Sequence, residues 1–452
     1  MRRTLFYIPP EIAGLPVFGF GILLFLLCAV VAAAVLWHYK TVKKFDDDIK
    51  NYLGLLLVGG AIIVFVAPNV MENNLGFPLR GYGFFLLIAI LSSVGLVVRL
   101  AKPKGITAES VISLAVWTVI CGIIGARLFY VIEYWKDMTA FELDTGQFLP
   151  GRTLWNVANI PDGGLVVYGS IIGGFLSALF YMRQNKLPVM PLLDSMAPAV
   201  MLGICLGRLG CLMNGCCFGG ITDVPWAVVF PEGSPAHIHQ IEHSETFQYG
   251  MTFNEPHQDG QPSVSVKEVQ HGSEAEKANI QTGNTVFGIG VMFQGKPVSW
   301  RIHSVKELVF VLNEIWMNVP KDESVRFEIG TSIDPSSAKP FFLKRGNSIV
   351  RPVHPTQIYS SVSALCGCLI LLGLGQMRWF RSQDGAVFAA FLMLYPVIRF
   401  CLEIIRTDED SFFGTGLTVS QCVSIAVFTA GIFLTVYLMR KPAEPVKLSA
   451  KE

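Results

Sequence analysis

Long apolar runs limit this chain more than any other feature. Nine stretches, about 17–38, 53–70, 82–100, 108–133, 163–182, 193–213, 356–376, 385–405 and 417–439, come close to or exceed the roughly 20 residues a helix needs to cross a bilayer. Inside hydrocarbon every backbone N–H and C=O has to be satisfied without water, so such runs fold as helices. The chain is therefore expected to be an all-α polytopic membrane protein of about nine transmembrane helices. Of its 452 residues 52% are hydrophobic and 15% charged, which agrees with that reading. A formal net charge of +1 and the lack of any basic tract leave no footprint for nucleic acid. Arg2 and Arg3 precede the first run, but Pro9, Pro10 and Glu11 intervene and no small-residue cleavage site follows, so that run reads as a retained helix. The ten cysteines lie mainly in apolar segments, where Cys acts as a small hydrophobe, and form no spaced disulfide framework.

Orientation follows the short loops. Lys40, Lys43, Lys44 and Lys50, then Arg99, Lys102 and Lys104, then Arg183 and Lys186, Arg378 and Arg381, and finally Arg440, Lys441 and Lys447 collect on one side. The other side offers Arg80, Lys136, Arg152, and Arg406 beside Asp408, Glu409 and Asp410. This predicts an N-terminus outside, a cytoplasmic C-terminus with a tail at 441–452, and an outside location for the long loop after Gly220. Arg2 and Arg3 count mildly against it.

That loop, about 221–350, is polar, Pro-rich and charged, with short alternating runs such as SVSVKEV, SVRFEI and PFFLKR. It is long enough for a small core of its own. Over about 262–346 the order strand, Gly-Ser turn, short helix, strand, strand, longer helix resembles a PDZ-like domain, which would make the insert a small α/β PDZ-like extracytoplasmic module of unknown partner. No Gly-Leu-Gly-Phe type carboxylate loop is visible, and a spacer without ligand is the plain alternative. Near the N-terminus GLPVFGFGILL and GFPLRGYGFFL repeat a Gly-x-Pro-x-x-Gly-aromatic-Gly pattern, either a duplication or two similar helix starts.

GICLGRLGCLMNGCCFGG, Gly203 to Gly220, closes the sixth apolar run and sets Arg208 among Leu, Ile, Met and Gly. An arginine at a helix centre costs roughly 2.5 to 3.5 kcal/mol to insert, so it reads as a functional site with an anionic partner. The glycines bare the backbone for a bulky partner; the plain alternative is a snorkelling side chain with glycines serving helix packing. Arg127 with Tyr130 and Glu133, Tyr168 bracketed by glycines that leave room around its hydroxyl, His354 with Gln357 and Tyr359, and Arg399, Glu403 and Arg406 also sit in or beside spans. All of these fall toward the outer face. Each has a plain reading: Glu403 as the partner of Arg399 or Arg406, a link from Arg127 to Glu133, His354 as a helix cap, Tyr168 as an interfacial anchor. Cys211, Cys216 and Cys217 share no local spacing with a histidine, so no metal is expected.

DGGLVVYGSIIGG, LLDSMAPAVMLGICLGRLGCLMNGCCFGG, HPTQIY and YPVIRFCLEIIRTDE, in this order, resemble the motifs of the bacterial prolipoprotein diacylglyceryl transferase family, with GYGFFL and GARLFY extending the likeness over roughly 76–220 and 351–440. Residues 1–75, an additional N-terminal transmembrane hairpin, and the insert fall outside it. The resemblance implies a multi-pass protein of the bacterial inner membrane. The implied reaction transfers the diacylglyceryl group of phosphatidylglycerol to the thiol of a lipobox cysteine in a prolipoprotein signal peptide, releasing glycerol phosphate, with no cofactor. A thiolate attacks the glycerol carbon and a phosphate leaves, which needs cations on the phosphate and a means of favouring thiolate, since a free thiol has a pKa of about 8.5. Arg208 and Arg399 match two arginines essential in the family. Arg127 and Tyr82 match further functional positions, and Asn214, Glu403 and Arg406 are carried over as substrate-binding.

Tyr168 stands where some members carry a histidine proposed as base. A tyrosine is a poor base at neutral pH unless arginines depress its pKa from about 10, so positioning comes first for Tyr168 and His354 is the alternative acceptor. Ser360 and Cys216 stand where some members carry glutamate. Two other readings remain: a transporter or flippase of anionic lipid, and a non-catalytic scaffold presenting the PDZ-like module.

Overall fold

The structure is a computed structural model and describes residues 4–42, 53–54, 56–57, 59–71, 76–139, 148–159, 164–254, 257–258, 261–262, 264–293, 296–318, 324–331, 338–344, 350–406 and 416–440. Lys43, Lys44, Lys50, Asp162, Asp408, Glu409, Asp410, Lys441, Lys447 and the tail 441–452, all used above, lie outside the described residues. Beside two short helices at Trp135–Met138 and Arg378–Ser382, the helices in chain order are α1 (Ile22–Val42), α2 (Gly81–Ala101), α3 (Ala108–Glu133), α4 (Pro150–Ala158), α5 (Val167–Gln184), α6 (Val189–Asn214), α7 (Pro235–Glu242), α8 (Glu274–Lys277), α9 (Val305–Asn318), α10 (Thr356–Leu374), α11 (Ala386–Glu403) and α12 (Val419–Arg440).

Among the described residues seven helices are long and apolar enough to cross a membrane: α1, α2, α3, α6, α10, α11 and α12. The other two of the nine expected spans differ. α5 is a full helix of 18 residues, but Arg183 and Gln184 at its end lower its apolarity. The second run gives a shorter apolar helix, Gly59–Val70, whose Ile62–Val66 part is π-helical and whose Ala67–Val70 part is 3-10. Pro68 has no N–H to continue an α ladder there.

The chain divides into two compact units. The first comprises residues 1–85 and 209–355, the second residues 86–208 and 356–452. In the first unit β1 (Thr4–Ile8) pairs antiparallel with β2 (Phe77–Arg80), which runs directly into α2. The two copies of the N-terminal repeat share a detail: Gly14 and Gly76, at the same pattern position, both take positive φ, +79° and +106°.

The polar insert of the same unit holds β3 (Met251–Asn254), β4 (Val264–Val269), β5 (Thr285–Phe293), β6 (Lys296–Arg301), β7 (Ser324–Gly330) and β8 (Lys339–Lys344). They form one antiparallel sheet in the order β8-β7-β5-β4-β3, with β6 also on β5. Its first strand precedes the boundary near 262 read from the sequence. The alternation seen in SVRFEI works as period two requires: Val325, Phe327 and Ile329 are buried while Arg326 faces out. α9 presents Val305, Leu308, Leu312 and Ile315, spaced three and four apart, to the same core.

In the second unit α3 and α5 pack with their backbones in contact. A Cβ on Gly125 would stand 2.5 Å from the Gly169 carbonyl oxygen, and one on Gly173 2.6 Å from that of Cys121. Gly169 and Gly173 form a Gly-x-x-x-Gly step, the pattern that lets membrane helices approach closely. The glycine after Tyr168 therefore serves helix packing; it does not make room around the hydroxyl. α6 is the central strut. Leu192, Leu193 and Ala199 belong to a core shared with Val97, Leu114 and Met182, and Ala197, Met201 and Cys205 to one shared with Ala364, Cys368 and Leu371. Near its start the buried Asp194 accepts the backbone N–H groups of Gly385 (2.7 Å) and Phe388 (2.8 Å), capping α11 from another helix.

Candidate functional site

α11 carries Arg399 and Glu403 one helical turn apart, so both side chains lie on one face. They form an ion pair through Arg399 Nη1 and Glu403 Oε2. Arg406, just past the helix end, brings its Nη1 to 4.0 Å from the same oxygen. The Glu403 side chain is 1% exposed, those of Arg399 and Arg406 14% and 9%. Two guanidiniums thus share one buried carboxylate. The carboxylate makes the cations tolerable in a poorly solvated place without cancelling their field.

The last helix supplies the link to Tyr168. α12 starts at a reciprocal cap: Gln421 N–H donates to Thr418 Oγ1 (3.3 Å) and Thr418 N–H to Gln421 Oε1 (3.0 Å). This fixes Ser420 in the first turn. Arg399 Nη2 donates to Ser420 Oγ at 2.8 Å, and Tyr168 Oη lies 3.1 Å from that same oxygen. A serine hydroxyl accepts twice and donates once, so beside Arg399 the Tyr168 and Ser420 hydroxyls can bond with either one donating. Arg399, Glu403, Arg406, Ser420 and Tyr168 form one connected polar group built from three helices. Ser420 was not singled out from sequence, although the Thr-x-x-Gln cap in TVSQ marks where it stands.

Arg127 turns out differently. It is 8% exposed, and its Nε donates to Val157 O (2.9 Å), Nη1 to Gly164 O (2.9 Å) and Nη2 to Asn156 O (2.5 Å) and Asn159 O (2.9 Å). Its guanidinium carbon also lies 5.3 Å from the Tyr130 ring centroid. The carbonyls at the end of α4 and just beyond it attract a cation by their own dipoles. This geometry makes Arg127 a clasp between the end of α4 and Gly164. These bonds run to carbonyls and none of them to Glu133, which is exposed.

Arg208 lies six residues before the end of α6, half-buried, and among the described residues no hydrogen bond or ion pair reaches its guanidinium. A Cβ on the preceding Gly207 would meet nothing within 4 Å, so space opens beside the cation. Two other glycines of the stretch are used for packing. Gly203 faces Ser93, and Gly210 receives Tyr82, whose ring would stand 3.3 Å from an added Cβ.

In the first unit Tyr82 starts α2 against Gly210 and is 43% exposed, and Asn214 is the last residue of α6. His354 is held by its backbone: its N–H donates to Gly220 O (3.0 Å) and its carbonyl accepts from Gly219 N–H (2.9 Å). This joins the HPTQIY motif to the end of the glycine-rich stretch. The Sγ atoms of Cys211, Cys216 and Cys217 lie within 4.8 Å of one another, a gathering that the spacing alone did not suggest.

The family model described as prolipoprotein diacylglyceryl transferase matches residues 68–437. A phosphatidylglycerol–prolipoprotein diacylglyceryl transferase of Rhodopirellula baltica is 35% identical over 96% of this chain and 88% of its own length. Proteins of the same name from Clostridium tetani and Gloeobacter violaceus are 31% and 30% identical over 41% and 42% of the chain, and 71% and 68% of their own lengths.

Proposed function

The chain belongs to the prolipoprotein diacylglyceryl transferase family, and we propose that it moves the diacylglyceryl group of phosphatidylglycerol onto the thiol of a prolipoprotein lipobox cysteine, releasing glycerol phosphate. It is a transferase of lipoprotein maturation and a multi-pass membrane protein. The observation that carries the assignment is Arg208: a cation on a spanning helix, with open space beside it and no partner among the described residues. A guanidinium in such a place needs an anion, and a lipid phosphate supplies one with bidentate geometry.

Arg208 and Arg399 grip the phosphate and stabilise the charge that grows on it as the glycerol C–O bond breaks. Glu403 and Arg406 hold Arg399 in place, and Ser420 and Tyr168 present hydroxyls beside it. Tyr168 positions. His354 is the alternative proton acceptor, Tyr82 and Asn214 bind substrate, and Arg127 shapes the loop beside the site.

The finer layout belongs to the same reading. The N-terminus and insert face outward, the C-terminus is cytoplasmic, and the membrane is the bacterial inner one. α5 and Gly59–Val70 complete nine spans as helices that need neighbours to sit in lipid. Residues 1–75 and 221–350 are additions to a core at 76–220 and 351–440. The strand and helix order of the insert supports a PDZ-like module.

Mass-tagged phosphatidylglycerol mixed with a lipobox peptide tests the assignment. A thioether-linked diacylglyceryl peptide is expected. Lipid that changes leaflet with its head group intact, and no labelled peptide, would make the protein a transporter instead.

A further inference from the structure

The guanidinium of Arg399 is held at two of its nitrogens. Nη1 pairs with Glu403 Oε2 on its own helix, and Nη2 donates to Ser420 Oγ on α12 at 2.8 Å. A guanidinium is a rigid plane, so a single contact lets it swing on its long side chain, whereas two at different nitrogens fix the plane. The second anchor stands on a stiff support. α11 and α12 pack closely: a Cβ on Gly431 would lie 3.0 Å from the Leu392 carbonyl carbon. Ser420 is 7% exposed, sits in the first turn of α12 inside the Thr418 and Gln421 cap, and its carbonyl accepts from Ser424 Oγ at 2.7 Å. Tyr168 reaches the same hydroxyl from α5, with Oη 3.1 Å from Ser420 Oγ. The tight fit of Gly169 against Gly125 keeps α5 from sliding and so keeps that ring in place.

We propose that Ser420 is a positioning residue for the transfer reaction, its hydroxyl joining Tyr168 to Arg399 so that phenol and guanidinium act as one unit. The proposal rests on the transferase reading for what the unit acts on, a lipid phosphate. One hydroxyl serves both neighbours, because it has two lone pairs and one proton: it accepts from Arg399 and shares a bond with Tyr168 in either sense. Removing that single oxygen cuts both bonds together.

Grip on a phosphate depends on how the guanidinium fork is turned, since two parallel N–H bonds must meet two oxygens. The demand is greatest as the C–O bond breaks and charge gathers on the phosphate, where a misplacement of about 1 Å can cost about a hundredfold. Ser420 therefore affects the rate of transfer more than lipid affinity, and acts through its two neighbours without touching substrate. Tyr168 exerts its effect through this joint, so its contribution disappears when Ser420 is removed.

Transfer to a lipobox peptide by the full-length protein, in detergent micelles containing phosphatidylglycerol, gives the first test. Ser420→Ala should lower kcat about tenfold and change KM for lipid by less than about twofold. Tyr168→Phe, costing several-fold alone by roughly one hydrogen bond, should cost less than about twofold in the Ser420→Ala background. Ser420→Thr, which keeps the hydroxyl, should return to within about threefold of wild type. Equal costs of Tyr168→Phe in both backgrounds overturn the joint, as does an unchanged rate in Ser420→Ala. A threonine variant that recovers thermal stability but not rate makes Ser420 merely structural. A second readout needs no turnover: with 3-fluorotyrosine at position 168, Ser420→Ala and Arg399→Lys should each move the fluorine resonance. Arg399→Lys should move it no further once Ser420 is alanine. Shifts that simply add overturn the joint even where thioether product forms, which leaves the transferase reading standing. Absence of product from wild-type protein with shifts that do not add sinks that reading and keeps the joint.

Discussion

Arg127 and Arg208 are alike in sequence, each a cation in an apolar, glycine-containing helix, and the structure treats them in opposite ways. Arg127 is buried against four backbone carbonyls that its own helix does not supply. Arg208 is half-buried beside open space and meets no partner among the described residues. The first is tied to the end of α4 and to Gly164; the second is open to a ligand. An arginine within a span signals function only when its neighbours leave donors unused, and that condition is invisible until the chain is folded.

Four measurements would break or sharpen that contrast. Arg208→Ala should lower transfer to a lipobox peptide by a hundred- to about a thousandfold, roughly 3 to 4 kcal/mol of lost transition-state stabilisation, with thermal stability little changed. A variant that unfolds would give Arg208 the role argued for Arg127. Glu403→Leu should destabilise the protein by about 3 kcal/mol, because it takes from two half-buried cations the buried carboxylate they share. Unchanged thermal unfolding in detergent would mean that water already shields the trio. Arg127→Ala should cost about 2 kcal/mol by orphaning buried carbonyls, and should raise protease cleavage near 156–164 while the protein still binds lipid. If lipid binding alone collapses, the clasp assignment is wrong. Tyr168→Phe has the smallest expected effect, a drop in rate of less than about tenfold, since a positioning hydroxyl contributes about one hydrogen bond. Complete loss would restore the base role.

Some of the site could be read directly. Arg399 and Glu403 pair because residues four apart on a helix must meet, whatever surrounds them. The Thr418 and Gln421 cap is local in the same way and was there to be used. The glycines near Tyr168 were visible but open to two readings, since a missing side chain serves a ligand or a neighbouring helix equally well. Only the approach of Gly125 decided between them. Asp194 lay within a quoted motif, yet its partners stand 191 and 194 residues away. Ser420 meets Tyr168 across a separation of 252 residues.

The sequence alone determined seven of the nine expected membrane-spanning helices, the folded insert between them and the charge-bearing stretches, because hydropathy, periodicity and capping act over one or two helical turns. The tertiary structure decided which arginine is satisfied, which serine joins Arg399 to Tyr168, and that three cysteines converge past the end of α6. Those outcomes depend on which carbonyls, hydroxyls and thiols distant segments bring together, and such meetings are set by packing between elements, with no trace in the local pattern of either partner.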